Sequence, residues 1–125
     1  MLMWDLMNEP DNDNSVYKAE ELPDKGARAL KLLREEWKWA RRVNPSQPLT
    51  SGVWGGELSS DSSLNEMARF QLVNSDVITF HSYDPPEETK RWIDSLRRYN
   101  RPIVCTEYMA RPLGSTFASN MPQQK

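Results

Sequence analysis

The sequence has few of the residues that build covalent cross-links or metal centres. Cys105 is the one cysteine among 125 residues, so a disulfide within the chain is impossible and the redox compartment cannot be inferred. One histidine and no cysteine cluster argue against a structural zinc site. We therefore predict that the protein holds no metal.

Charge of one sign and long apolar runs are also missing. The net charge is −2, and the Lys, Arg, Asp and Glu residues are mixed along the chain. This pattern provides neither a basic stripe for nucleic acid nor a polybasic patch for a membrane surface. No apolar run approaches the roughly 20 residues of a membrane-spanning helix. We expect neither nucleic acid nor a membrane as a partner.

Residues 1–7 are not expected to be a secretory signal, because no charged start and cleavage site flank these apolar residues. Residues 1–7 instead form a near-continuous apolar run, which is typical of a strand covered on both faces. We expect Trp4 to pack in the core. A strand that begins at once suggests the middle of a larger protein whose earlier part is absent.

Strand and helix patterns alternate along the rest of the chain. The clearest helix is predicted at residues 24–42, where Leu30, Leu33 and Trp37 recur at helical spacing. The predicted strands are residues 1–7, 47–54, 76–83 and 103–108, and the other predicted helices are residues 64–72 and a segment that Asp84-Pro85-Pro86 opens.

Fully apolar strands that alternate with helices predict an α/β fold with a parallel sheet and helices outside it. A doubly wound sheet would fit this order, but no Gly-rich phosphate turn follows any strand. Polar or aromatic residues instead fall at strand carboxyl ends, where a (β/α)8 barrel carries its active site: Glu9, Trp54, His81, Tyr83 and Glu107. A segment of such a barrel is the favoured architecture.

Two strand-like runs each deliver a glutamate at their carboxyl end, Glu9 after residues 4–8 and Glu107 after residues 103–106. Hydrolysis of a glycosidic bond needs one carboxyl group as acid and another as base or nucleophile. Each glutamate alone could be a surface ion-pair residue. Their placement in register with alternating strands and helices favours the catalytic interpretation.

At Asn8-Glu9-Pro10 and Thr106-Glu107-Tyr108 the chain resembles the clan A glycoside hydrolases, particularly cellulase-like members of family five. The resemblance implies that Glu9 is the acid/base at the end of barrel strand four and that Glu107 is the nucleophile at the end of strand seven. It also implies that anomeric configuration is retained. Residues 1–125 would then be a partial catalytic domain covering strands four to seven, about half of the barrel.

Four other residues are candidates for substrate binding. Asn8 is expected to hydrogen-bond the sugar hydroxyl beside the reacting carbon, or to be an ordinary turn residue. His81 is expected to bind a sugar hydroxyl or orient a carboxylate, although a satisfied structural histidine fits equally well. Tyr83 is the candidate donor to Glu107, and Trp54 could stack on a sugar ring or pack in the core. Strand alternation predicts that Cys105 shares the inward face of Glu107.

We therefore predict a retaining β-glycosidase that acts on a plant-type polysaccharide or oligosaccharide and needs no cofactor. One alternative is a truncated, non-catalytic carbohydrate-binding remnant of such an enzyme, and another is an unrelated α/β protein whose glutamates are incidental. The sequence does not decide between glucan, mannan and xylan, between endo and exo action, or the oligomeric state. We predict no localisation from these residues, and the resemblance implies only that full-length relatives are commonly exported.

Overall fold

The computed structural model describes residues 1–13 and 15–108. The strands and α-helices in chain order are β1 (Trp4–Asp5), α1 (Lys25–Val43), β2 (Leu49–Thr50), α2 (Glu66–Asn74), β3 (Ile78–His81), α3 (Pro86–Leu96) and β4 (Ile103–Glu107). Short 3-10 helices span Lys18–Glu20 and Arg97–Tyr99. In these described residues no helix is both long and apolar enough to cross a membrane.

All strand pairs are parallel, and neighbouring strands follow chain order. β1 pairs with β2, and β3 pairs with β4. A parallel bridge between Val53 and Phe80 connects the two pairs, with Val53 N–H donating to Thr79 O at 3.0 Å and His81 N–H donating to Val53 O at 2.9 Å. The carboxyl ends of the four strands therefore lie at one edge of the structure.

The helices cover one face of the strands. On β3, Ile78 and Phe80 point toward them and join a buried cluster that includes Leu96 of α3. Thr79 and His81 alternate with these residues and so face the opposite side, where the Thr79 hydroxyl lies 2.7 Å from that of Thr50. This second face is the one that carries the polar residues of interest.

A second buried cluster holds α1 in place. Leu30, Leu33 and Trp37 of α1 pack with Leu49 of β2 and Met67 of α2. Leu33 has no exposed surface, and full burial of such a side chain contributes about 1.5–3 kcal/mol to folding. The residues that recur at helical spacing in the sequence therefore form the buried stripe of α1.

The strands are shorter than predicted, because only part of each apolar run forms backbone pairs with a neighbouring strand. β1 pairs only at Trp4 and Asp5 rather than over residues 1–7. Trp4 was predicted to be in the core, but it lies on the outer strand and is 44% exposed. The helix predicted at residues 64–72 begins later, at Glu66, because the Asn65 side chain accepts from Ala68 N–H and caps it.

Candidate active site

Glu9 begins a tight turn four residues after the end of β1 at Asp5. Its carbonyl accepts the backbone N–H of Asn12 at 3.0 Å, and Pro10 occupies the second position of the turn, where its fixed φ is favourable. Glu9 itself has a φ of +43°, in the left-handed region that non-glycine residues seldom adopt. The turn directs the Glu9 carboxyl group back over the strand ends.

A bulge in β4 decides which way Glu107 points. Phe80 pairs with Cys105, but the next residue, His81, pairs with Glu107, so Thr106 is an extra residue. The extra residue reverses the alternation and brings Glu107 to the same face as His81. The prediction that Cys105 shares the face of Glu107 is therefore wrong, since Cys105 packs with the helix-side core cluster.

His81 lies between the two glutamates. Its Nδ1 is 2.6 Å from Glu9 Oε1, and its Nε2 is 3.5 Å from Glu107 Oε1. The His81 side chain is 2% exposed, that of Glu9 17% and that of Glu107 36%. A carboxylate oxygen of Glu9, a ring nitrogen of His81 and a carboxylate oxygen of Glu107 all lie within 4.8 Å of one another. The two carboxyl groups therefore share one small site.

These three donors are also of the types that bind divalent cations. In this arrangement, however, one ring nitrogen of His81 contacts Glu9 and the other faces Glu107. A cation bound through Nδ1 of His81 would have to displace the 2.6 Å contact between that atom and Glu9. The contacts fit a carboxylate–imidazole–carboxylate chain without rearrangement, and the absence of a metal stays a prediction.

Tyr83 completes the surroundings of Glu107. Its hydroxyl donates a short hydrogen bond to Glu107 Oε2. Because this bond needs the phenolic proton, it raises the pKa of Tyr83 to about 12, with burial and the Glu107 charge adding to the effect. His81, the last residue of β3, and Tyr83, two residues later, were predicted to lie together, and both face Glu107.

Asn8 and Trp54 lie at the same edge but contact neither glutamate directly in the described contacts. Asn8 is exposed and directly precedes Glu9. Trp54 is 38% exposed, and its indole N–H donates to Asp11 Oδ1 at 2.8 Å. Trp54 is thus tied to the turn that carries Glu9, with part of its ring still accessible.

The glycosyl hydrolase catalytic core family matches residues 5–125, which is nearly the whole sequence and includes both glutamates. The chain belongs to this family. No curated protein sequence and no solved structure matches it. Family membership makes the protein a glycoside hydrolase, and it gives a chemical context to the paired carboxyl groups of Glu9, in the turn after β1, and Glu107, on β4.

The sequence reasoning missed residues that support the site of this glycoside hydrolase. Asn12 Nδ2 donates to Glu9 Oε2 at 2.5 Å, and nothing in the local sequence except a polar residue after the motif could have indicated this. Gly52 leaves room for His81, since a Cβ there would lie 3.2 Å from His81 Nε2.

The Asp5 carboxyl group on β1 is influenced by the same surroundings. Burial raises the pKa of the Asp5 carboxyl, while His81 and backbone hydrogen bonds from Met7 and Gly52 oppose that rise.

The hydrogen bond between Tyr83 and Glu107 should be visible in the titration of the phenol. We expect the ultraviolet difference titration of the unmodified protein against Tyr83→Phe to show a phenol that ionises near pH 12, above the usual 10.0. Because the folded pKa is raised, the associated stability is fully present below pH 10 and is lost as the pH rises toward 12. In Glu107→Gln the midpoint should fall toward 10.0, and an unchanged midpoint in that variant would contradict the assignment.

Proposed function

We propose that this glycoside hydrolase is a retaining β-glycosidase that cleaves plant-type polysaccharides or oligosaccharides by double displacement. The main support for this proposal is a distance: a carboxylate oxygen of Glu9 and one of Glu107 lie within 4.8 Å of one another. Retaining enzymes place their carboxyl groups about 5–5.5 Å apart, whereas inverting enzymes separate them by about 6.5–9.5 Å to admit a water. The short spacing supports direct attack by one carboxylate.

Glu107 is the proposed nucleophile because the Tyr83 hydroxyl donates a hydrogen bond to its carboxyl group. Its oxygen attacks the anomeric carbon, and the bond from that carbon to the leaving oxygen breaks. The Tyr83 hydroxyl, already bonded to Glu107 Oε2, keeps the carboxylate oriented. The product of this step is a glycosyl ester on Glu107.

Glu9 is the proposed acid and base. In the first step its proton passes to the leaving oxygen, and in the second it takes a proton from the water that attacks the anomeric carbon and releases Glu107. A neutral imidazole carries one N–H. When that N–H is on Nδ1 of His81 and donates to Glu9 Oε1, the proton of Glu9 is free to pass to the leaving oxygen.

We propose that β1 to β4 are strands four to seven of a (β/α)8 barrel. The parallel pairing in chain order, the helices on one face and the site at the strand carboxyl ends support this architecture. Among the described residues β1 pairs only with β2, and β4 pairs only with β3. These open edges also favour a second candidate function, a carbohydrate-binding remnant that cannot turn over.

Hydrolysis of aryl β-glycosides tests the proposed function. We expect the protein to cleave at least one member of a panel of aryl β-glucosides, β-mannosides and β-xylosides. Proton NMR of the first-formed sugar should show the β anomer, because double displacement retains configuration. An α anomer would overturn the mechanism, whereas oligosaccharide binding without cleavage would identify the carbohydrate-binding remnant.

A further inference from the structure

The turn after Glu9 is anchored from both sides. Lys25, the first residue of α1, donates from Nζ to the Asn12 carbonyl at 2.6 Å and pairs with Glu21 at 2.7 Å. On the other side Trp54 holds Asp11 through its indole N–H. Such anchoring is what a backbone with an unfavourable φ at Glu9 requires in order to persist.

The Glu9 carboxyl group has a different partner on each oxygen. Oε1 contacts Nδ1 of His81, and Oε2 accepts from the Asn12 side-chain amide. Two partners in different directions fix the plane of a carboxyl group, whose terminal torsion is otherwise broad. Asn12 is close to Glu9 because the turn returns the chain after three residues.

We propose that Asn12 is a positioning residue that aims the Glu9 carboxyl group at the leaving oxygen; this inference rests on the acid/base role in the proposed function. Asn12 does not touch the reacting atoms. Its amide restricts Glu9 to the orientation in which proton transfer is productive, and general acid catalysis depends on that geometry before it depends on acidity.

The dependence of the rate on the leaving group separates positioning of the acid from general damage. A dinitrophenolate leaves without a proton, whereas an unsubstituted phenol needs one. In Asn12→Ala we expect kcat/KM for the phenyl β-glycoside to fall about 10- to 100-fold, within the contribution of general acid catalysis. For the dinitrophenyl β-glycoside of the same sugar we expect a fall of less than about threefold.

Asn74→Ala is the matched control, because among the described residues the Asn74 amide donates to Phe70 O within α2 at 2.7 Å. It should leave both substrates unaffected. If Asn12→Ala slows both substrates equally, or neither, the inference is overturned while the proposed function stands. If the unmodified protein cleaves no aryl β-glycoside, the proposed function fails, and the inference fails with it.

A second measurement tests the contact itself without relying on turnover. In a ¹⁵N-labelled protein, the side-chain amide signals of Asn12, assigned by their loss in Asn12→Ala, should shift in Glu9→Ala. The amide signals of Asn74 should stay in place. Asn12 signals that do not respond to Glu9→Ala would overturn the inference whatever the rates show.

Discussion

Glu107→Ala should lower kcat for an aryl β-glycoside by at least about 10⁴-fold, which is within the range seen when a covalent nucleophile is removed from a hydrolase. The effect should be equally severe for phenyl and dinitrophenyl leaving groups, because a better leaving group does not replace the attacking oxygen. Initial rates of phenol release measure both. Tyr83 would lose its acceptor in this variant, so circular dichroism should accompany the kinetics to show that the fold is kept.

Glu87→Ala is the matched control for this substitution. Glu87 is an exposed residue in the first turn of α3, so its removal should change kcat by less than about twofold. A fluorinated aryl glycoside that slows the second step should also add one glycosyl group to the unmodified protein, detectable by mass spectrometry. Label on Glu107 would support its role as nucleophile, whereas label on Glu9 would reverse the two assignments.

The sequence predicted the parts of this structure that local pattern determines. Leu30, Leu33 and Trp37 repeat at helical spacing, and they form the buried stripe of α1. Glu9 and Glu107 each follow an apolar run, and parallel pairing necessarily brings the ends of such runs to one edge. Strand order therefore predicted that both glutamates lie at one edge, but the face on which Glu107 lies depends on the bulge at Thr106.

What the sequence did not predict depends on contacts between distant segments. Simple alternation put Cys105 beside Glu107, but the extra residue Thr106 reverses the alternation, and a bulge has no signature in these residues. The role of Asn12 depends on a turn with an unusual φ at Glu9. The space for His81 depends on Gly52, which lies just after β2 and is distant from His81 in the sequence.

Glu9→Ala should affect phenyl and dinitrophenyl substrates very differently. Without the acid, kcat/KM for the phenyl β-glycoside should fall about 10²- to 10⁴-fold, the usual contribution of a positioned acid. The dinitrophenyl β-glycoside needs no proton to leave, so its kcat/KM should fall by less than about tenfold. Comparable losses for both substrates would contradict the acid role of Glu9.

Azide provides the sharper test of the same residue, because it attacks a glycosyl ester without help from a base. The cavity left by alanine at position 9 should admit the anion, which Glu9 repels in the unmodified protein. We therefore expect azide to raise kcat of Glu9→Ala on the dinitrophenyl β-glycoside and to give a β-glycosyl azide, since the ester on Glu107 is displaced from the opposite face. Formation of the α-glycosyl azide would instead mean that Glu9 occupies the nucleophile's side of the sugar, and the roles of the two glutamates would have to be exchanged.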